Sequence, residues 1–339
     1  MTTASPDEAS LDRVSLDQAL LGALASGTPV SGAQLAQCLG VTRAALWKHV
    51  ADLRASGLPI EARTRVGYCL PWPIQLLDVD VIAQALGPLP QAPVHVCWQL
   101  DSTQDELARH QGERPDLSVV LCERQTGGRG RRGRAWLVPP ALNICLSCLK
   151  RFPGGPATLS GLSIAVGVCV VRALSQLGIL GLRLKWPNDV VVDAGKLCGI
   201  LIEVNGEAEG PCVARIGIGL NIRLPAQLRN ALNQPAADLA QLCEGGVPPD
   251  RNVVAASLIR ALRDGLLRFE EDGLDPFLEE FAALDSLRGK TLQIDAPRGV
   301  QQGIARGINE VGALLVEADG KIAPLYSGEV SVRVSATER

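Results

Sequence analysis

Glu123-Arg-Gln-Thr-Gly-Gly-Arg-Gly-Arg-Arg-Gly-Arg-Ala-Trp136 decides how the rest of the chain is read. From Gly127 to Arg134 it interleaves four arginines with four glycines, shortly after an apolar run, Leu117 to Cys122, that reads as a strand. Glycine lets a backbone approach a ligand closely and take positive φ. Arginine supplies planar, permanently charged donors for phosphate and carboxylate. Such a loop is built to surround a polyanion. Gly128-x-Gly130-x-x-Gly133 also matches the dinucleotide fingerprint, but that fingerprint needs a helix to begin at its glycines. Here Trp136-Leu-Val-Pro-Pro140 follows, which argues against an early helix, and then Asn143 to Leu149, which reads as a strand. A doubly wound nucleotide fold is therefore disfavoured. So is a solvated basic hairpin tip, for which interleaved glycines are poor filler.

The 339 residues suggest two or three domains, and 47% apolar content is ample for their cores. A net charge of −3 excludes a globally basic nucleic-acid coat, so any DNA contact must be local. Met1-Thr-Thr-Ala-Ser-Pro-Asp-Glu8 lacks the basic and apolar regions of a signal peptide. The longest apolar stretch, Leu159 to Val171, is interrupted by Ser160, Gly161, Ser163 and Gly167 and followed by Arg172. It is too short to span a membrane and reads as a buried helix whose glycines permit close packing. A cytoplasmic protein without a membrane partner is expected. Ten cysteines are scattered, with Cys145-x-x-Cys148 the single close pair. On a strand those two thiols point to opposite faces, and no second pair or nearby histidine completes a metal site. Reduced structural thiols and no protein-bound metal are the expectation.

Residues 31–72 carry Arg43, Lys48, Arg54, Arg63 and Arg65 against Asp52 and Glu61, a local net of +3. Ser31-x-x-Gln34 is a capping box for a helix reaching about Leu39, with Gly40 as its C′ residue. A second helix, Arg43 to Ser56, puts Leu46, Val50 and Leu53 on one face and leaves Arg43, Ala44, Lys48 and Ala51 largely outward. Ile60 to Leu70 then alternates, with Arg63-Thr-Arg-Val-Gly67 at its tip. Helix, turn, basic helix and basic wing is the order of a winged helix-turn-helix. The predicted DNA contacts are Thr42, Arg43, Ala44, Trp47, Lys48, Arg63 and Arg65. A small packing domain with incidental charge is the competing reading. Trp72-Pro73 marks a hinge. Beyond it come strands at Val94–Gln99, Leu117–Cys122, Leu142–Leu149, Leu182–Trp186, Val190–Val192, Lys196–Val204 and Cys212–Asn221, with helices over 159–177 and 253–281. Strands linked by hairpins imply a mixed, mainly antiparallel sheet and an α+β fold. From about Asp285, short strands at 291–295, 312–317 and 330–333 with an Asp319-Gly320 turn suggest a small barrel.

The arginine–glycine loop, Lys185-Trp-Pro-Asn-Asp189, Gly195-Lys-Leu-Cys-Gly-Ile200 and Gly217-Ile-Gly-Leu-Asn221 resemble, in order and spacing, the biotin–protein ligases. With the winged helix in front, the resemblance extends to the bifunctional ligases that also repress the biotin operon, over roughly residues 16–333. It implies a winged-helix DNA-binding domain (1–72), a biotin- and ATP-binding catalytic domain built like class II aminoacyl-tRNA synthetases (73–284) and an SH3-like domain (285–339). The winged helix and the catalytic domain are expected to rest on separate cores. The implied reaction joins biotin and ATP to biotinyl-5′-adenylate and pyrophosphate, then transfers biotin to an acceptor lysine. By similarity, Gly128, Arg129 and Arg131 surround carboxylate and phosphate, and Lys196 bridges their oxygens. Ser102, Thr103, Gln104 and Gln125 would hydrogen-bond biotin, with Gly199, Leu201 and Asn221 completing the binding set. Asp189 would position or deprotonate the acceptor lysine, or be simply an Asx-turn residue. Lys185 adds phosphate charge or is a solvated strand end, and Glu329 and Arg333 would reach the nucleotide. Mg²⁺ would accompany ATP. The implied partners are the biotin carboxyl carrier protein subunit of acetyl-CoA carboxylase, operator DNA, and a second copy of the chain when adenylate is bound.

The sequence departs from the family at five places. Gln104 stands where Asn is usual, Leu137 to Ala141 replaces a Ser-Pro-x-Gly stretch, and Cys145 replaces an aromatic. No tryptophan stands near Gln234-Pro235-Ala236 to pack on adenine, and Trp47 occupies a position on the second helix that is usually polar. A ligase with a purely structural winged helix, a biotin sensor without turnover and a lipoate ligase remain the alternatives, although the Gly-Arg-Gly-Arg-Arg-Gly loop favours biotin.

Overall fold

The computed structural model describes residues 16–87, 92–296, 299–326 and 329–332. The expectation for the first eight residues, and that for Arg333, lie outside them, and the side chain of Glu329 is likewise not described.

A helix over 16–24 (α1) opens the N-terminal unit. The Ser31 hydroxyl accepts from the Gln34 amide and the Gln34 side chain accepts from the Ser31 amide, so the capping box forms and starts α2 (Gly32–Cys38). Gly40 follows at φ 64°, the left-handed C′ conformation. Thr42 caps α3 (Arg43–Ala55), whose Leu46, Val50 and Leu53 are buried against Leu20, Leu21, Leu24 and Leu35. The wing is a hairpin of β1 (Glu61–Arg63) and β2 (Gly67–Cys69). Gly67, at φ 136°, lies so close to the Val30 carbonyl that a Cβ there would stand 2.0 Å from its oxygen. This core is not separate from the rest of the chain. Ala141 and Leu142 belong to it and Trp98 packs on it. The segment after the arginine–glycine loop is thereby part of the winged helix's own floor.

The middle of the chain runs α4 (Val79–Leu86), β3 (Val94–Leu100), α5 (Thr103–Arg109), β4 (Val119–Gln125), β5 (Asn143–Phe152), α6 (Leu162–Gln176), β6 (Arg183–Lys185), β7 (Asp189–Val192), β8 (Gly195–Gly206) and β9 (Cys212–Asn221). Short helices α7 (Ala226–Asn230) and α8 (Leu239–Leu242) lead to α9 (Arg251–Asp272) and α10 (Asp275–Leu284). The seven strands form one sheet in the order β3-β4-β5-β9-β8-β7-β6. Only β3 and β4 pair in parallel, which is the mixed, mainly antiparallel arrangement expected. Alternation sorts the strand residues. Ile144, Leu146 and Cys148 of β5 face a core shared with α4, α6 and α9, while Cys145 and Leu149 join small clusters on the other face, where Leu107 of α5 packs. Burial pushes both the Cys145 and Cys148 thiols up to about 12, so neither is reactive. The helical stretch Pro156–Gln176, which ends in α6, is long and apolar enough to cross a membrane, but it is largely buried inside the fold.

Two predicted elements shift. The strand expected at 117–122 begins at Val119, because Leu117 takes φ 60°, outside the strand region. The helix expected over 253–281 is two helices, broken where Gly273 turns to φ 64°.

The C-terminal strands β10 (Thr291–Ala296), β11 (Gly299–Ile308), β12 (Leu314–Ala318), β13 (Lys321–Leu325) and β14 (Glu329–Val332) form an antiparallel sheet ordered β13-β12-β11-β10-β14. Asp319 and Gly320 both have positive φ, 51° and 73°, as a tight hairpin requires. Strand β11 had no sequence signal beyond its ends, since its middle, Gln301-Gln-Gly, lacks β-branched residues. Leu292, Ile294, Ala305, Leu314 and Val316 pack into the same core as the central sheet.

Candidate active site

A cavity of about 430 Å³ opens on the face of the central sheet that carries α5, a size within the range of small-ligand sites. Its floor is set by glycines. Gly199 and Gly219 are register partners on β8 and β9, and Trp136 lies against both. A Cβ on Gly219 would come 2.5 Å from the indole, and one on Gly199 3.3 Å from it. Leu201 and Gly217 pair two residues along, where Gly217 leaves room for Gln104. Any side chain at these glycines would fill the space in which an aromatic and a ligand have to lie.

One wall is polar and held by the start of α5. Ser102 is the N-cap, its hydroxyl accepting from the Gln104 amide. The Thr103 amide donates to Gln125 Oε1 at 2.8 Å, and its hydroxyl is 2.7 Å from that of Ser147. Gln104 is 4% exposed and donates its amide nitrogen to the carbonyls of Leu201 and Arg215. Its Oε1 has no hydrogen-bond partner among the described residues. The extra methylene relative to Asn thus lets this side chain bridge β8 and β9 from the helix.

The opposite wall holds the charged pair. Lys196 Nζ lies 2.7 Å from Asp189 Oδ1 and 5.4 Å from the Trp136 ring centroid. Asp189 opens β7 and Lys196 lies on β8, where a register shift between Val190 and Val191 re-aims the strand. Asn188, just before Asp189, donates to the Ile200 carbonyl and accepts from Arg131 Nη1 at 3.1 Å. Trp186 is buried and donates to the Gly312 carbonyl, which ties this turn to the C-terminal strands. Lys185 also borders the cavity.

The arginine–glycine loop arches over the mouth. Gly127 N donates to the Asp101 carbonyl, Trp136 N to that of Gly128, and Gly130 N to that of Arg134. A Cβ on Gly128 would stand 2.5 Å from the Trp136 carbonyl oxygen, so this glycine closes the neck of the loop rather than lining the cavity. Arg132 and Gly133 turn the tip at φ 57° and 72°, and no α-helix begins there, only one 3-10 turn. Arg129 and Arg131 both border the cavity. Arg129, however, grips Asp105 with two bonds of 2.6 and 2.7 Å.

Of the predicted ligand residues, Ser102, Thr103, Gln104, Gln125, Arg129, Arg131, Asp189, Lys196, Gly199 and Leu201 come together around this one cavity. Asn221 lies behind it. Its amide donates to the Lys196 and Ala237 carbonyls and its Oδ1 accepts from Asn143, so it braces the strand that carries Lys196. Sequence reasoning assigned no role to Trp136, Asn188 or Asp105. The Trp136 signal was available in the glycines at matching registers of two strands. Among the described residues, Asp189 is the only carboxylate on the cavity lining and it is already paired with Lys196, which does not make a cage for a resident Mg²⁺.

The Biotin/lipoate A/B protein ligase family matches residues 96–221, the span that supplies most of this cavity's lining. An HTH domain matches residues 17–69 and a biotin protein ligase C-terminal domain residues 292–333. The bifunctional ligase/repressor BirA of Escherichia coli is 39% identical over 93% of this chain and 96% of its own length. The chain belongs to the biotin/lipoate protein ligase family. Another member, the bifunctional ligase/repressor BirA of Bacillus subtilis, is 30% identical over 89% of this chain and 94% of its own. The Aquifex aeolicus biotin protein ligase, solved in complex with biotin and ATP, superposes with a TM-score of 0.59 at 26% identity, over 72% of this chain and 99% of that one. The difference in coverage is consistent with the additional N-terminal unit. In that unit the cap residue Thr42 and, along α3, Arg43, Ala44, Trp47 and Lys48 are exposed, with Trp47 64% exposed, while Ala51, expected outward, is half-buried. Arg65 is exposed at the wing tip with φ 64°, while Arg63 is drawn back to Glu61 at 2.9 Å.

Proposed function

We propose that this family member is a biotin–protein ligase that also acts at DNA. A carboxylate oxygen of biotin attacks the α-phosphorus of ATP, the bond to pyrophosphate breaks, and biotinyl-5′-adenylate forms. The amine of an acceptor lysine then attacks the acyl carbon, and AMP leaves. The observation that carries this reading is the Lys196–Asp189 pair, 2.7 Å apart in a cavity roofed by arginines. Bringing two anions together requires cations fixed before the reaction. Lys196 and Arg131 supply that charge, with Lys196 exchanging Asp189 for carbonyl and phosphate oxygens. Asp189, released from Lys196, then takes the proton that the acceptor ammonium must lose. Ser102, Thr103, Gln104 and Gln125 meet the polar end of biotin, and Gly199 and Leu201 its apolar part. Mg²⁺ would enter with ATP and would neutralise part of the phosphate charge.

The acceptor is a lysine on the biotin carboxyl carrier protein subunit of acetyl-CoA carboxylase. A Mycobacterium tuberculosis relative, 32% identical, is named as the biotin ligase of that carboxylase. The setting is cytoplasmic, and the DNA-bound form is a homodimer of adenylate-loaded chains on a palindromic operator of the biotin genes. One winged helix offers only a modest patch, and the net charge of −3 provides no broad field to compensate. Incubation with ATP, carrier protein and either biotin or lipoate, followed by intact mass measurement, tests the ligase. A biotinyl adduct on the carrier with pyrophosphate release is the expected result. Lipoyl transfer alone, or biotin binding without pyrophosphate, would overturn it. Operator titration with and without biotinyl-adenylate tests the repressor, and equal affinity in both states would remove that role.

A further inference from the structure

Arg129 and Arg131 stand two residues apart on the loop and are fastened to opposite rims of the cavity. Arg129 forms a parallel fork with Asp105 of α5, Nη1 to Oδ2 at 2.6 Å and Nη2 to Oδ1 at 2.7 Å. Glu203 of β8 lies 3.5 Å from the same Nη2 and is itself bonded to Arg215 at 3.3 Å. On the far rim, Arg131 reaches Asn188 at 3.1 Å. Between these anchors the loop spans the mouth, and Arg129, Gly130, Arg131 and Arg134 all face the cavity. Its neck is closed by the Trp136–Gly128 and Gly130–Arg134 backbone bonds.

We propose that Asp105, supported by Glu203, is a positioning residue for the ligase reaction: it fixes Arg129 so that the loop stands over the cavity before any ligand arrives and retains the adenylate afterwards. The inference rests on the ligase reading given above. Its chemistry is that of a planar guanidinium matched to a carboxylate by two charge-assisted bonds, which sets orientation as well as attraction. The Arg129 fork holds the Asp105 carboxyl below its ordinary range, so the partner is anionic throughout the neutral region. One of the four loop cations is therefore held by the scaffold, while Arg131 bonds Asn188 on the far rim. Asp105 is 33% and Arg129 39% exposed, so the bond can open and salt weakens it.

The test uses the full-length protein with Asp105→Asn, and Asp105→Glu as the charge-conserving variant. Amide exchange over 128–136 is measured without ligand, and escape of biotinyl-adenylate is followed after a single turnover. In Asp105→Asn both should quicken roughly fivefold, the scale of a half-exposed charge-assisted pair, while pyrophosphate release stays near the parental rate. Raising salt should quicken loop exchange in the parental protein and leave Asp105→Asn nearly unmoved. Asp105→Glu should restore most of the slow escape. Unchanged loop exchange in Asp105→Asn would overturn the proposal, as would faster exchange with unchanged escape. A parental protein that forms no adenylate would instead sink the ligase reading, and the ligand-free exchange would still show whether Asp105 holds the loop.

Discussion

Two arginine–carboxylate pairs stand six residues apart along the chain and behave oppositely. Glu123, inside β4, is 3% exposed and meets Arg251, 1% exposed, at 2.9 Å. Around them the Glu123 carboxylate also accepts from the Leu77 and Ala141 amides, and Arg251 donates to the carbonyls of Gln75 and Asn143. This node staples the segment after the hinge to the central sheet beneath the winged helix. Arg129, just past the end of the same strand, meets Asp105 with better bidentate geometry but with over a third of its side chain in solvent. The same chemistry gives a permanent joint where water is excluded and an exchangeable one where it is not. Desolvation makes the buried pair costly to break, while the exposed pair can trade its partner for a ligand or an ion.

That contrast can be broken most sharply at Arg251. Arg251→Met leaves the Glu123 carboxylate buried and uncompensated and should destabilise the protein by about 3–5 kcal/mol in urea unfolding. Adding Glu123→Gln should recover much of the loss. A single variant as stable as the parent would mean that water reaches the node.

Lys196→Ala removes a charge that acts on the developing phosphate charge, at the semi-exposed end of the comparison. Pyrophosphate release should slow about 10²–10³-fold, equivalent to about 2.7–4 kcal/mol on the barrier. Asp189→Asn should leave that step largely intact and slow transfer to the carrier. Equal losses in both steps would show that the two residues act as one unit.

Removing residues 1–72 tests whether the node suffices without the winged helix above it. Operator binding should vanish. The remainder should lose about 1.5–3 kcal/mol, because Leu142, now 1% exposed, loses its cover. A truncated ligase with the parental melting temperature would show that the shared floor contributes nothing.

The smallest effect lies at the loop's base, where Asp101 accepts both forks of Arg109 and its carbonyl accepts the Gly127 amide. The Arg109 bonds lower the Asp101 carboxyl to about 2. A depressed carboxyl stabilises the fold above its unfolded value near 4, and that contribution is lost as pH falls through about 2. With 51% of the Asp101 side chain exposed, Asp101→Asn should cost less than about 1 kcal/mol at neutral pH. The difference from the parent should close near pH 2. A constant difference across that range would assign the effect to something other than charge.

Much of the site could be read from order alone. The family resemblance put Gly199 and Leu201 at the ligand, and Pro139-Pro140 argued against a helix at the arginine–glycine loop. Capping at Ser31 and the strand at Val190–Val192 are governed by near neighbours, so they emerged as expected. What the order of residues does not carry are contacts with distant causes. Nothing near Arg129 distinguishes a cation aimed at phosphate from one bound to Asp105, because the partner lies 24 residues upstream on another element. Asn221 reads as a strand-end ligand until Ala237 and Asn143 are seen to occupy its amide.

The sequence by itself determined the local grammar: which residues cap, turn, alternate, and bring arginine beside glycine. These are short-range steric and hydrogen-bond preferences, complete within a few residues. Tertiary structure alone decided the partners. Glu123 finds Arg251 across 128 residues, Trp136 finds the glycines of two strands, and the winged helix takes Leu142 as its floor. Charges and apolar faces carry no address in the chain, and only the packing that removes them from water selects which ones meet.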